Sequence, residues 1–174
     1  MKPITNSPHG NHAAFNRADF CLSDGFGDND FELLLDLAGT DLYTLALWEF
    51  CHKISPEAIC RVLERVGPQL RTLEVVPSQR DVTFLGQQLK KCSNLKLLEI
   101  GINDNMNDVL QLALPKGLVY LCLYDVPRDV NMQGLQPIFD SLPHLMDLCL
   151  VNLHDDLDYE KEIQVGRIRL SKVY

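Results

Sequence analysis

The residues of this chain with reach for chemistry are five histidines, six cysteines and two acidic stretches, and the first question is whether any stand at the spacings chemistry requires. His9, His12, His52, His144 and His154 have no mutual spacing that sets a general base beside a nucleophile. The sequence also has no glycine-rich phosphate loop, no HExxH and no GxSxG. "HGNH" offers His9 and His12 as two metal ligands, fewer than a zinc site needs, on a polar segment that reads as a solvated tail. "DGFGDND" sets Asp24, Phe26, Asp28 and Asp30 out of the order of a calcium loop, which favours a turn in which Asp30 caps a helix. The run Asp155, Asp156, Asp158 and Glu160 reads as a solvated loop, and His144 in "LPHL" as a surface position.

Cys21, Cys51, Cys60, Cys92, Cys122 and Cys149 contain no CxxC pair and no Cys/His cluster at zinc spacing, so buried thiols are expected rather than disulfides or a metal site. No catalytic residue, metal or cofactor is therefore expected. A net charge of -8 and a pI near 5.0, with scattered Lys and Arg, argue against capture of nucleic-acid phosphates. No apolar run approaches the roughly 20 residues needed to cross a bilayer, and "MKPITNSPHGNH" has no secretory apolar core. The expectation is an intracellular protein, cytoplasmic or nuclear, that binds neither nucleic acid nor membrane.

With chemistry set aside, the elements that could position a binding surface come forward. "LRTLEVV" (Leu70 to Val76) has apolar residues at its first, fourth and sixth positions, a spacing that suits neither a strand nor a helix alone. The pattern recurs in "LYTLAL" from Leu42, "LRTLEV" from Leu70, "LKLLEI" from Leu95, "LVYLCL" from Leu118 and "LMDLCL" from Leu145. Successive starts differ by 28, 25, 23 and 27 residues (70−42, 95−70, 118−95, 145−118). "VGRIRL" from Val165 is a sixth, degenerate copy. Such periods suit a leucine-rich repeat, in which each hexamer is a short parallel strand and stacked neighbours supply the core.

The connections carry helical signals. "ISPEAICRVLERVG" offers Ser55 as N-cap, Pro56 in the first turn and Ile59, Val62, Leu63 and Val66 along one face. Val82, Leu85, Leu89 and Cys92 share a face in the next connection, "MNDVLQLA" gives a turn or two in the third, and Met132, Leu135, Ile138, Phe139 and Leu142 mark the fourth. Pro137 should shorten or kink that last helix. The expected organisation is a flexible arm over 1–29, a capping helix over 30–41 ("FELLLDLAG" closing at Gly39), and a repeat domain over 42–174 with a degenerate terminal strand. The fold expected is an α/β, right-handed leucine-rich-repeat solenoid with a concave parallel sheet and convex helices.

"LYTLALWEFCHKISPEAICRVLERVGPQLRTLEV" and "LGQQLKKCSNLKLLEI" resemble the ribonuclease-inhibitor-like class of leucine-rich repeats, and within it the repeats of F-box/leucine-rich-repeat proteins. The matching positions are Ile54, Ser55, Ala58, Cys92, Asn94 and Leu95. The resemblance implies a non-enzymatic scaffold for protein binding, acting as a substrate-recognition or adaptor subunit of a ubiquitin-ligase-type complex, with a cullin-ligase adaptor as a partner. The same fold also serves innate-immune-type sensors and regulatory inhibitors that bind a protein ligand on the concave face. "ELLLDLAGTDLYTLALWEFC" faintly resembles the helical F-box itself, although Leu42 to Leu47 is better used as a strand.

In this reading the second, third, fifth and seventh positions of each repeat form the concave face. That face is mixed early, with Tyr43, Thr44, Ala46 and Trp48, then Arg71, Thr72, Glu74 and Val76, then Lys96, Leu97, Glu99 and Gly101. It turns apolar with Val119, Tyr120, Cys122 and Tyr124, then Met146, Asp147, Cys149 and Val151. Exposed apolar patches mark interaction sites, so the expected contacts to another protein are Trp48, Tyr120, Cys122, Tyr124, Met146, Cys149 and Val151, the alternative being that "DLDYEKEIQV" or flanking sequence folds back over the apolar part of this face.

Overall fold

The computed structural model describes residues 17–19, 27–38, 41–47, 54–75, 84–102, 109, 112–124, 126 and 132–151. In chain order they form β1 (Arg17–Asp19), α1 (Asp28–Ala38), β2 (Thr44–Leu47), α2 (Pro56–Val66), β3 (Thr72–Val75), α3 (Leu85–Leu89), β4 (Leu97–Gly101), β5 (Tyr120–Tyr124), α4 (Met132–Ser141) and β6 (Asp147–Val151). The six strands make one open parallel sheet in the order β1-β2-β3-β4-β5-β6, so each strand pairs with its neighbours in sequence.

Register explains the odd spacing of the hexamers. Ala18, Leu45, Leu73, Leu98, Leu121 and Leu148 stand side by side across the sheet, and every one of those five leucines is fully buried. Leading Leu42, Leu70, Leu95 and Leu118 are also fully buried although they precede their strands. The chain bends there: the carbonyls of Tyr43, Arg71, Lys96 and Val119 each accept two N–H groups from the next hexamer, for example Lys96 N at 2.8 Å and Leu97 N at 3.0 Å on Arg71 O. One bend followed by a two-residue alternation turns positions one, four and six to the same side.

On that side the leucines meet the helices. Ala58, Ile59, Val62, Leu63 and Val66 of α2, Leu85 and Leu89 of α3, and Leu135 and Ile138 of α4 join them in one core. Ser55 caps α2 as its position requires, its Oγ accepting from Ala58 N at 3.1 Å, with Pro56 in the first turn. Asn94 Nδ2 donates to Pro68 O at 2.7 Å, tying one connection to the one before it.

Several expectations are corrected. Arg17–Asp19 is a strand paired with β2, so the segment 1–29 is not wholly a flexible arm. Helix α1 starts at Asp28, two residues before the expected start. Asp30 lies inside its first turn and Oδ2 accepts from Gly27 N at 3.1 Å, the reaching-back half of a capping box. Phe31 and Leu35 of α1 enter the core, while Arg61 and Arg65 of α2 pair with its Glu32 and Asp36. Helix α4 runs through Pro137 without ending there. Pro137 and Gln133 both face solvent, where water can satisfy the Gln133 carbonyl that Pro137 leaves without an N–H. Thr44–Leu47 is strand β2, the use expected of Leu42 to Leu47 over the faint F-box likeness. Val82, most of "MNDVLQLA" and the copy "VGRIRL" lie outside the described residues.

Candidate functional site

Side chains alternate across a strand, so the third, fifth and seventh hexamer positions face away from the helices. Strand pairing builds rows from them. Thr44, Thr72, Leu97, Tyr120 and Asp147 form one row, Ala46, Glu74, Glu99, Cys122 and Cys149 a second, and Gly101, Tyr124 and Val151 a third. Over β5 and β6 these rows form a second hydrophobic cluster, separate from the leucine core: Cys122, Cys149 and Val151 are buried, and Tyr120 and Tyr124 pack against them half-buried. No helix residue belongs to this cluster among those described.

The expected contact residues thus divide by depth. Met146 is 53% exposed, and Tyr120 and Tyr124 keep part of their surface. Cys122, Cys149 and Val151, expected to face a partner, are instead no more than 5% exposed. Tyr120 and Tyr124 pack against them and are the half-buried members of the cluster. Trp48 lies outside the described residues. Tyr43, at 37% exposure, was placed on this face by the hexamer pattern but omitted from the contact set. The Arg71 guanidinium lies 5.1 Å from the centre of its ring, a cation–π contact that orders this end of the face.

The cluster is electrostatically distinct. Tyr124 donates from its hydroxyl to Glu99 Oε2 at 2.7 Å. Burial raises the Glu99 carboxyl above its ordinary range, against the lowering effect of that hydrogen bond, and neighbouring Glu74 adds to the rise. Burial first, then the bond to Glu99, pushes the Tyr124 hydroxyl far up, and burial does the same at Tyr120. A hydrogen bond with Cys149 and then burial hold Cys122 as a thiol. Burial also pushes Cys92 up to about 11 in the leucine core. These are thiols with little thiolate character, the opposite of an activated nucleophile.

Among the described residues no group of three or more His, Cys, Asp or Glu side chains could hold a metal ion. Asp28, one of the carboxylates of the calcium-like stretch, is instead engaged by Ser55, whose backbone N donates to Oδ1 at 2.7 Å and whose hydroxyl donates to Oδ2 at 2.5 Å. His144 is exposed, whereas His9, His12, His52, His154 and the acidic run lie outside the described residues. Among the described residues no helix is long and apolar enough to cross a membrane.

Comparison with protein-family models, with curated proteins and with solved structures found no match to this chain.

Proposed function

We propose that the chain is a right-handed leucine-rich-repeat solenoid serving as a non-enzymatic scaffold, and that the face of β5 and β6 opposite the helices binds another protein. The observation that carries this reading is the second hydrophobic cluster, which lies apart from the leucine core and has no described helix over it. The tyrosines at these positions lie outside the leucine core, which closes on the other side of the sheet. Partially exposed Tyr and Met side chains beside buried apolar ones are the composition of an interface centre, where truncating one aromatic anchor costs about 2 kcal/mol of binding or more. Tyr120, Tyr124 and Met146 are the contacts in this reading, with Cys122, Cys149 and Val151 packed against the two tyrosines.

The resemblance to F-box/leucine-rich-repeat proteins is the ground for a ubiquitin-ligase setting, with this face receiving the substrate. Buried thiols at Cys92, Cys122 and Cys149 fit the reducing compartment, cytoplasmic or nuclear, that such a role implies. A photo-crosslinking side chain placed at Met146 should capture a defined partner, whereas the same group at Leu33, 60% exposed on α1, should not. Equal capture at both positions would remove the face from consideration. Mixing the pure chain with a purified cullin-ligase adaptor tests the setting separately, by whether a stable complex elutes.

A further inference from the structure

Cys122 and Cys149 belong to the second cluster rather than the leucine core, and stand opposite each other on neighbouring strands. In the parallel register of β5 and β6 they are partners, so their side chains leave the same face in the same direction, about 4.8 Å apart at the backbone. The two thiols are hydrogen-bonded to each other and are 1% and 5% exposed. Half the strand spacing is about 2.4 Å, close to the roughly 2.3 Å of a metal–thiolate bond. An ion midway between the sulfurs is therefore at bonding distance from both, in a straight line, with the strand spacing unchanged. Zinc takes four ligands, and among the described residues no third metal-binding side chain joins the pair. Glu99, next to Cys122 in the row, accepts from the Tyr124 hydroxyl at 2.7 Å. Two sulfurs alone suit a soft ion content with two ligands, and thiolates select Cu(I).

We propose that Cys122 and Cys149 form a two-coordinate site for a soft monovalent metal ion, Cu(I). Binding replaces both thiol protons: two thiols and one Cu(I) give one S–Cu–S unit carrying a single negative charge, plus two released protons, with no change of oxidation state. The Tyr120 hydroxyl, hydrogen-bonded with Cys122, is placed to donate to that charge, the support that ligating groups ordinarily receive from a second layer of side chains. The apolar cluster around the pair limits access of water, which would compete as a ligand. Cys149, the more exposed of the two sulfurs, gives the ion its entry. This inference concerns the same face as the proposed protein contact but does not rest on it, because ligation needs only the two sulfurs.

Anaerobic titration of the full chain with Cu(I) against a chromophoric Cu(I) chelator tests it, together with X-ray absorption on the complex. The chain should take up one equivalent with high affinity, which Cys122→Ser and Cys149→Ser each lose and Cys60→Ser keeps. X-ray absorption should find two sulfur neighbours and no nitrogen. Thiols are protonated at neutral pH, so affinity should rise about a hundredfold per pH unit once the chelator's own pH dependence is removed, tenfold for each proton released. Tyr120→Phe should weaken binding about tenfold. No uptake, uptake that the serine variants retain, three or more sulfur neighbours, or a nitrogen ligand would each overturn the site. If the serine variants fail to fold, the absorption spectrum and the pH slope of the unsubstituted chain decide alone, and a slope of one proton counts against the pair.

Discussion

The two faces of the sheet carry the same register and opposite rules. Toward the helices, the fourth-position row of β2 to β6 is leucine throughout, and each of these leucines is fully buried. On the other side, the fifth-position row passes from Ala46 through Glu74 and Glu99 to Cys122 and Cys149, and the third-position row from threonines to Tyr120. Packing dictates the first face, because a change there opens a cavity. The second face is free to vary, so its change of character between β4 and β5 reports what the surface is for.

The largest effect should come from breaking the uniform face. Leu98→Ala removes a fully buried side chain flanked by Leu73 and Leu121, and should cost about 2–5 kcal/mol in urea unfolding. Lys96→Ala, two residues away and exposed, should change stability by about 0.5 kcal/mol or less. Equal shifts for the two would show that the faces are misassigned. Next in size is the start of α2. Ser55→Ala removes the cap on Ala58 N and the hydroxyl bonded to Asp28, and thermal unfolding should report a loss of about 1–2 kcal/mol.

Legibility in the sequence follows the same division. The leucine rows, the Ser55 cap and the face of α2 could be read because core packing and helix ends admit few residue types. Strand β1 was missed, although "FNRADF" has apolar Phe15, Ala18 and Phe20 at the first, fourth and sixth positions, 27 residues before Leu42 (42−15). Alanine at the fourth position and the polar surroundings hid a pattern that pairing with β2 discloses. The candidate site was legible as a row of residues but not as a surface. Sequence position says which way Cys122, Cys149 and Val151 point, but their depth depends on packing across the sheet that only the folded chain defines.

Smaller changes sharpen the contrast on the variable face. Tyr124→Phe removes the hydroxyl that reaches Glu99 and should cost about 0.5–1.5 kcal/mol in urea unfolding, well below the leucine substitution. Glu99 gives a test by pH. Because its carboxyl is raised above the ordinary 4.5, the folded chain binds this proton more tightly than the unfolded chain does. Its contribution is fully present below pH 4.5 and is lost as pH rises through the raised value. Glu99→Gln, which stays neutral, should flatten this part of the stability profile above pH 4.5 in denaturant titrations at a series of pH values. An unchanged profile would mean that Glu99 is not the group responsible.

The central claim is that the tyrosine cluster on β5 and β6 binds a protein and is dispensable for folding. Its most direct test is the Tyr120→Ala, Tyr124→Ala double variant, assayed in parallel for cooperative unfolding and for binding to the partner captured at Met146. The account predicts a cooperatively folded variant that has lost most of its affinity for that partner. A folded variant that binds the partner with unchanged affinity would contradict it, and so would a variant that no longer folds, since the tyrosines would then belong to the core.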